Sequence, residues 1–82
     1  PLSQHQQAIL LVSAMAHVMQ EVPLERMDAF RAGLLAFMEE EAADLCRRID
    51  QTGWLSVEDR QEILSLARQF LETFQADGKN GD

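Results

Sequence analysis

The sequence predicts an all-α protein, a small bundle of about four helices with short connections, and three observations predict it. Leu, Met and Ala are prominent in a chain that is 46% apolar, and no run alternates Val, Ile or Thr with polar residues as a half-buried strand requires. Apolar side chains recur at three and four residues along two long segments, from Met27 to Met38 and from Ile63 to Phe74. Helix-start and helix-stop chemistry, at Ser3, Gly53 and Ser56, falls between the periodic segments rather than inside them.

The first helix starts at Ser3. Its hydroxyl can accept from the third helical N–H while the Gln6 amide reaches back, a capping box. The stretch that follows, AILLVSAMAHVM at residues 8–19, is apolar at ten of its twelve positions. Gln6, Ser13, His17 and Gln20 form one narrow polar stripe, which is expected to be the edge that meets water. A bilayer span takes about 20 consecutive apolar residues, and this run is stopped by Gln20 and Glu21. A secretory signal needs a basic segment ahead of the apolar one, and the first Lys or Arg here is Arg26.

Pro23 sits well at a helix start, where its missing N–H has no intrahelical partner to lose. The second helix then carries Met27, Phe30, Leu34, Phe37 and Met38 on one face, with Arg26, Asp28 and Arg31 off it. Glu39, Glu40 and Glu41 diverge by about 100° per residue, so they read as a solvated surface rather than an ion site. Register continues through Leu45 and Ile49, either as a third helix or as an extension of the second, with Asp44 and Arg48 spaced for an ion pair. Gly53 ends that segment. Ser56 with Asp59 starts the last helix, whose stripe is Ile63, Ala67, Phe70 and Phe74, flanked by Leu64, Leu66 and Leu71. The bundle is expected to occupy residues 1–76 and the aperiodic residues 77–82 to form a disordered tail.

Fourteen acidic against seven basic residues give a net charge of −7, which argues against nucleic-acid binding and against anionic membrane surfaces. One cysteine, Cys46, cannot form an internal disulfide and is compatible with a reducing compartment. Arg47 and Arg48 beside it would favour a thiolate, but with no histidine or second cysteine nearby in sequence it reads as a small apolar residue. The four glycines make no phosphate-binding loop. His5 and His17 are about 18 Å apart along a helix, too far to share a metal, and His17 reads as an edge residue hydrogen-bonded to a neighbour. Trp54 has two readings: a ring folded over the bundle end to cover Leu55 or Val57, or an anchor for a partner. No catalytic constellation and no cofactor site is expected in these residues.

Taken in order, PLSQHQQ, VPLERMDAFRAGLLAF and IDQTGWLSVEDRQEILSLARQFLETF resemble the C-terminal helical domain of the alpha subunit of F-type ATP synthase, from about Pro1 to Phe74. The resemblance implies a non-catalytic coupling segment of an ion-translocating rotary machine, peripheral to the membrane on its cytoplasmic face. Its implied partners are the beta subunit and the central stalk. ATP or ADP with Mg²⁺ would belong to a nucleotide-binding domain outside these residues. A start at Pro1 rather than Met is then expected of a piece of a longer polypeptide. The apolar surplus of the first helix becomes a seat for neighbours, with Val18, Met19 and Trp54 as candidate subunit-interface residues. Two departures stand out: His17, Val18 and Met19 replace a usual Gly-Tyr-Leu step, and Arg31 replaces a usual Glu. Histidine in place of glycine is expected to let the first helix run on, and a divergent second copy of the subunit is a further expectation. The rival from the residues alone is a free-standing helical adaptor that dimerises through the first helix.

Overall fold

A computed structural model describes the backbone of residues 2–80 and the side chains of residues 2–77. Four α-helices follow one another, α1 (Gln4–Met15), α2 (Met27–Glu41), α3 (Ala43–Thr52) and α4 (Val57–Asn80), with 3-10 turns at Val18–Glu21 and Leu24–Arg26 between the first two. There is no strand among the described residues, so the all-α bundle expected from the sequence is the fold. Its core joins Ile9 and Val12 of α1, Phe30, Leu34 and Met38 of α2, Leu45, Cys46 and Ile49 of α3, and Ile63 and Ala67 of α4.

Local chemistry sets the helix starts. The Ser3 N–H donates to Gln6 Oε1 at 2.9 Å and the Gln6 N–H donates to Ser3 Oγ at 3.4 Å, closing the capping box. At α4 the same exchange runs between Ser56 and Asp59, at 3.0 and 3.2 Å. Asp59 is buried there and also accepts from Arg48 at 3.2 Å, which ties α3 to the start of α4. Asp44 therefore pairs with Arg47, and not with Arg48 as the spacing suggests, because the Arg48 side chain reaches the α4 cap. Gly53 closes α3 at φ 67°, its N–H donating to Ile49 O at 2.7 Å. A single residue, Ala42 at φ −140° and ψ 47°, separates α2 from α3, so they are two helices.

Three expectations give way. The first helix does not run on through His17: it stops at Met15, and His17 adopts φ 61° and ψ 27°, a left-handed conformation. The turn carries Val18 and Val22 back into the core, which a continuing helix would not do. Histidine thus keeps the conformation that a glycine adopts without steric penalty, at a penalty of roughly 1–2 kcal/mol. His17→Gly is expected to stabilise the fold by about 0.5–1 kcal/mol, the relieved strain less the greater freedom glycine has when unfolded. The His17 side chain is exposed, so few contacts are lost, and a urea midpoint that does not rise would refute the strain.

The water-facing edge of α1 is the second correction. Ser13 is fully buried, while Gln4, Gln7, Leu11, Ala14 and Met15 form the exposed stripe. A helix apolar almost all round does not fix its own rotation, and here polar pairing at His5 does so, placing His5, Ile9, Val12 and Ser13 inward. Third, α4 continues to Asn80, past the expected start of a tail at residue 77. Gly78, a residue type that commonly closes a helix, lies within α4 and does not end it. Residues 81 and 82, the remainder of that tail, lie outside the described residues.

Candidate interaction surface

One end of the bundle is fastened by a polar cluster whose members lie far apart in sequence. His5 is only 8% exposed. Its backbone N–H donates to Asp50 Oδ1 at 2.9 Å, and its Nδ1 lies 2.7 Å from Asp50 Oδ2 and 3.0 Å from Ser3 Oγ. The N-terminus of α1 is thereby pinned to the last turn of α3. The other ring nitrogen, Nε2, is buried without a hydrogen-bond partner among the described residues and lies 3.9 Å from Glu39 Oε1. The His5 backbone N–H, ahead of the partial desolvation that works the other way, holds the Asp50 carboxyl below its ordinary value of 3.8.

A carboxyl whose folded value is depressed stabilises the fold fully above its ordinary value of 3.8 and loses that contribution as the pH falls through the lower folded value. Urea midpoints of Asp50→Asn and the parent chain, followed as the pH drops below 3.8, are therefore expected to converge. A gap independent of pH would mean that the carboxylate charge contributes nothing.

Cys46 is a buried core residue, and burial, followed by the nearby Glu39 and Asp50 charges, pushes its thiol up from the ordinary range. The thiolate hint from Arg47 and Arg48 is overturned, since those guanidinium groups turn to Asp44 and Asp59. The described residues hold no group of three or more His, Cys, Asp or Glu side chains arranged for a metal ion. No helix among them is long and apolar enough to cross a membrane.

The candidate interface residues separate on inspection. Val18 is 4% exposed and belongs to the chain's own core, because the left-handed His17 turns it inward; its side chain offers a partner no surface. Met19 is half-buried against that core. Trp54 is 70% exposed, in the turn between α3 and α4, with its backbone N–H donating to Thr52 Oγ1 at 3.0 Å. Its ring does not shield Val57, which is itself exposed. On α1 the exposed apolar side chains are Leu11 and Met15, at 61% and 71%. Sequence reasoning recognised the apolar surplus of this helix but not which residues carry it. It also missed the His5–Asp50 pair, whose members are 45 positions apart with no local motif joining them.

An all-α bundle with capped, amphipathic helices and an unspent apolar face on its first helix is the class this geometry defines. Residues 1–70 match the family described as the ATP synthase alpha/beta chain, C terminal domain, and the chain belongs to that family. The relatives it matches place it with the alpha type. It is 33% identical to ATP synthase subunit alpha 1 of Marinomonas sp. (strain MWYL1), over 100% of this chain and 16% of that one. Identity is 34% to the ATP synthase subunit alpha of Pectobacterium carotovorum subsp. carotovorum (strain PC1) and 36% to that of Yersinia pestis (strain Pestoides F), each over 93% of this chain and 14% of the relative. The chain thus spans about one sixth or less of the length of these curated relatives. No solved structure matches it.

Proposed function

We propose that the chain is a non-catalytic structural and coupling segment of the alpha subunit of a rotary F-type ATP synthase. The family match over residues 1–70, with relatives that are alpha subunits, is the observation that carries this reading. In the assembled machine the segment packs against the beta subunit near the central stalk and passes on, through helix contacts, motion driven at nucleotide sites elsewhere. ATP, ADP and Mg²⁺ belong to a nucleotide-binding domain of the same subunit, and the complex is peripheral on the cytoplasmic face of the membrane. The exposed Trp54 at the α3–α4 turn supports a role in subunit contact, since a large ring at a turn is otherwise left in water.

The reading frame upstream of Pro1 is expected to encode a domain with a glycine-rich phosphate-binding loop. The corresponding full-length polypeptide, affinity-tagged and extracted from membranes, is expected to bring a beta-type subunit with it. A frame without such a domain, or a polypeptide that comes away alone, overturns the proposal.

A further inference from the structure

Of the two histidines, His5 is enclosed by the chain's own helices and His17 is exposed. The two ring nitrogens of His5 are served unequally. A carboxylate can only accept, so Nδ1, at 2.7 Å from Asp50 Oδ2, carries the single proton of the neutral ring. Nε2 is then a bare lone pair, buried, with no donor among the described residues to meet it. The group that does face it, Glu39 Oε1 at 3.9 Å, is a second acceptor. A neutral imidazole therefore leaves two acceptors opposed, and a further proton on Nε2 turns that mismatch into a charge-assisted pair.

The helices around the ring bear on its charge. Glu39 lies in the last turn of α2 and Asp50 in the last turn of α3, and neither turn holds a basic side chain. A helix C-terminus favours a nearby cation, and here two of them converge on one ring. The start of α1, where His5 itself sits, and the burial of the ring oppose the charge. Two carboxylates, each within 4.0 Å, stand on the other side of that balance. Of the other ionisable groups lining the cavity at this end, Arg47 is turned to Asp44 and Cys46 is a buried thiol. Among the described residues, α4 brings no carboxylate within 4.0 Å of the ring.

We propose that His5 is a proton-operated clasp: with the ring neutral the start of α1 is fastened to α3 alone, and with the ring protonated it is fastened to the end of α2 as well, through Nε2–H and Glu39. The range over which it acts is about pH 5 to 8, where imidazole is the side chain that ordinarily changes charge. The pair with Glu39 exists only in the protonated ring. Its contribution to stability is therefore present at the acid end of that range and is lost as the pH rises through it.

A double-mutant cycle on the 82-residue chain tests this, with His5→Asn and Glu39→Gln unfolded in urea at about pH 5.5 and about pH 8. Asparagine places an N–H near the position of Nδ1 and has no second nitrogen to charge. The coupling between the two positions is expected to be about two- to fivefold in the unfolding equilibrium constant at the lower pH, the range of a partly exposed ion pair, and absent at the higher. Should His5→Asn fail to fold, NMR on the parent chain decides. The side-chain carboxyl carbon of Glu39 is expected to move in step with the ring signals of His5 as the pH falls, and not with those of the exposed His17. A coupling that is equal at both pH values, larger at the higher, or absent from both would overturn the proposal, as would a Glu39 signal that ignores His5. None of those results touches the subunit reading, which is decided by the upstream frame and the beta-type partner.

Discussion

Phe30→Ala is expected to lower the unfolding free energy by about 3–5 kcal/mol, the range for deleting a buried aromatic side chain. Phe30 is fully buried, and its ring centroid lies 5.4 Å from that of Phe70 and 5.2 Å from that of Phe74. Phe37 also meets Phe70, at 5.5 Å, so the substitution removes two of the aromatic contacts that join α2 to α4 and leaves the third. Aromatic pairs in such tilted or edge-on arrangements add about 0.5–1.5 kcal/mol beyond the area they bury. The space left behind cannot easily close, because Phe70 already lies against the α2 backbone: a Cβ at Gly33 would stand 2.6 Å from Phe70 Cζ. A domain of this kind holds about 5–15 kcal/mol in all. The variant is therefore expected to sit near its folding threshold, visible as a large fall in the urea midpoint by far-UV circular dichroism. A loss under about 1.5 kcal/mol would show that the aromatic cluster does not anchor the bundle.

Gly53→Ala carries the second largest expected effect, a loss of about 1–2 kcal/mol from forcing an L side chain into the left-handed region. Gly53 sits at φ 67°, and an added Cβ would lie 3.0 Å from Gln4 Oε1, so the α1 cap region is crowded as well. At an ordinary backbone position the same exchange would stabilise by roughly 0.4–1 kcal/mol through the unfolded state. The sign of the measured change thus decides whether the left-handed closure of α3 is real. Gly53→Asn, whose side chain tolerates that region better, is expected to lose less than the alanine variant. His17→Gly should move in the opposite direction on the same physical ground, which makes the two substitutions a matched pair.

The starts of α1 and α4 were legible because their determinants are local. Ser3 with Gln6 and Ser56 with Asp59 lie within one turn of each other, and their hydrogen bonds form much as the spacing implies. The stripes of α2 and α4 were legible too, since Phe30, Leu34, Met38, Ile63 and Ala67 recur with the helical period and all of them are buried. The likeness to the alpha-subunit domain was carried by extended similarity along PLSQHQQ, VPLERMDAFRAGLLAF and IDQTGWLSVEDRQEILSLARQFLETF, not by the helical period. The candidate surface was legible only in part. An apolar surplus on the first helix announces an exposed face, yet periodicity cannot say whether Leu11 or Ile9 is left outside when both faces are oily.

What the sequence determined by itself, then, was the helical kind of the fold and the starting points of α1 and α4, because caps, periodic stripes and a closing glycine act over three or four residues. Only the tertiary structure decided how α1 is rotated, and with it that Ser13 is buried while Leu11 and Met15 meet water. That choice rests on the contact of His5 with Asp50, across 45 positions of chain. It likewise decided that His17 takes a left-handed turn where the sequence allows a continuing helix. Burying Val18 and Val22 favours the turn by more than the local strain opposes it, and burial is a property of the assembled bundle rather than of any short segment.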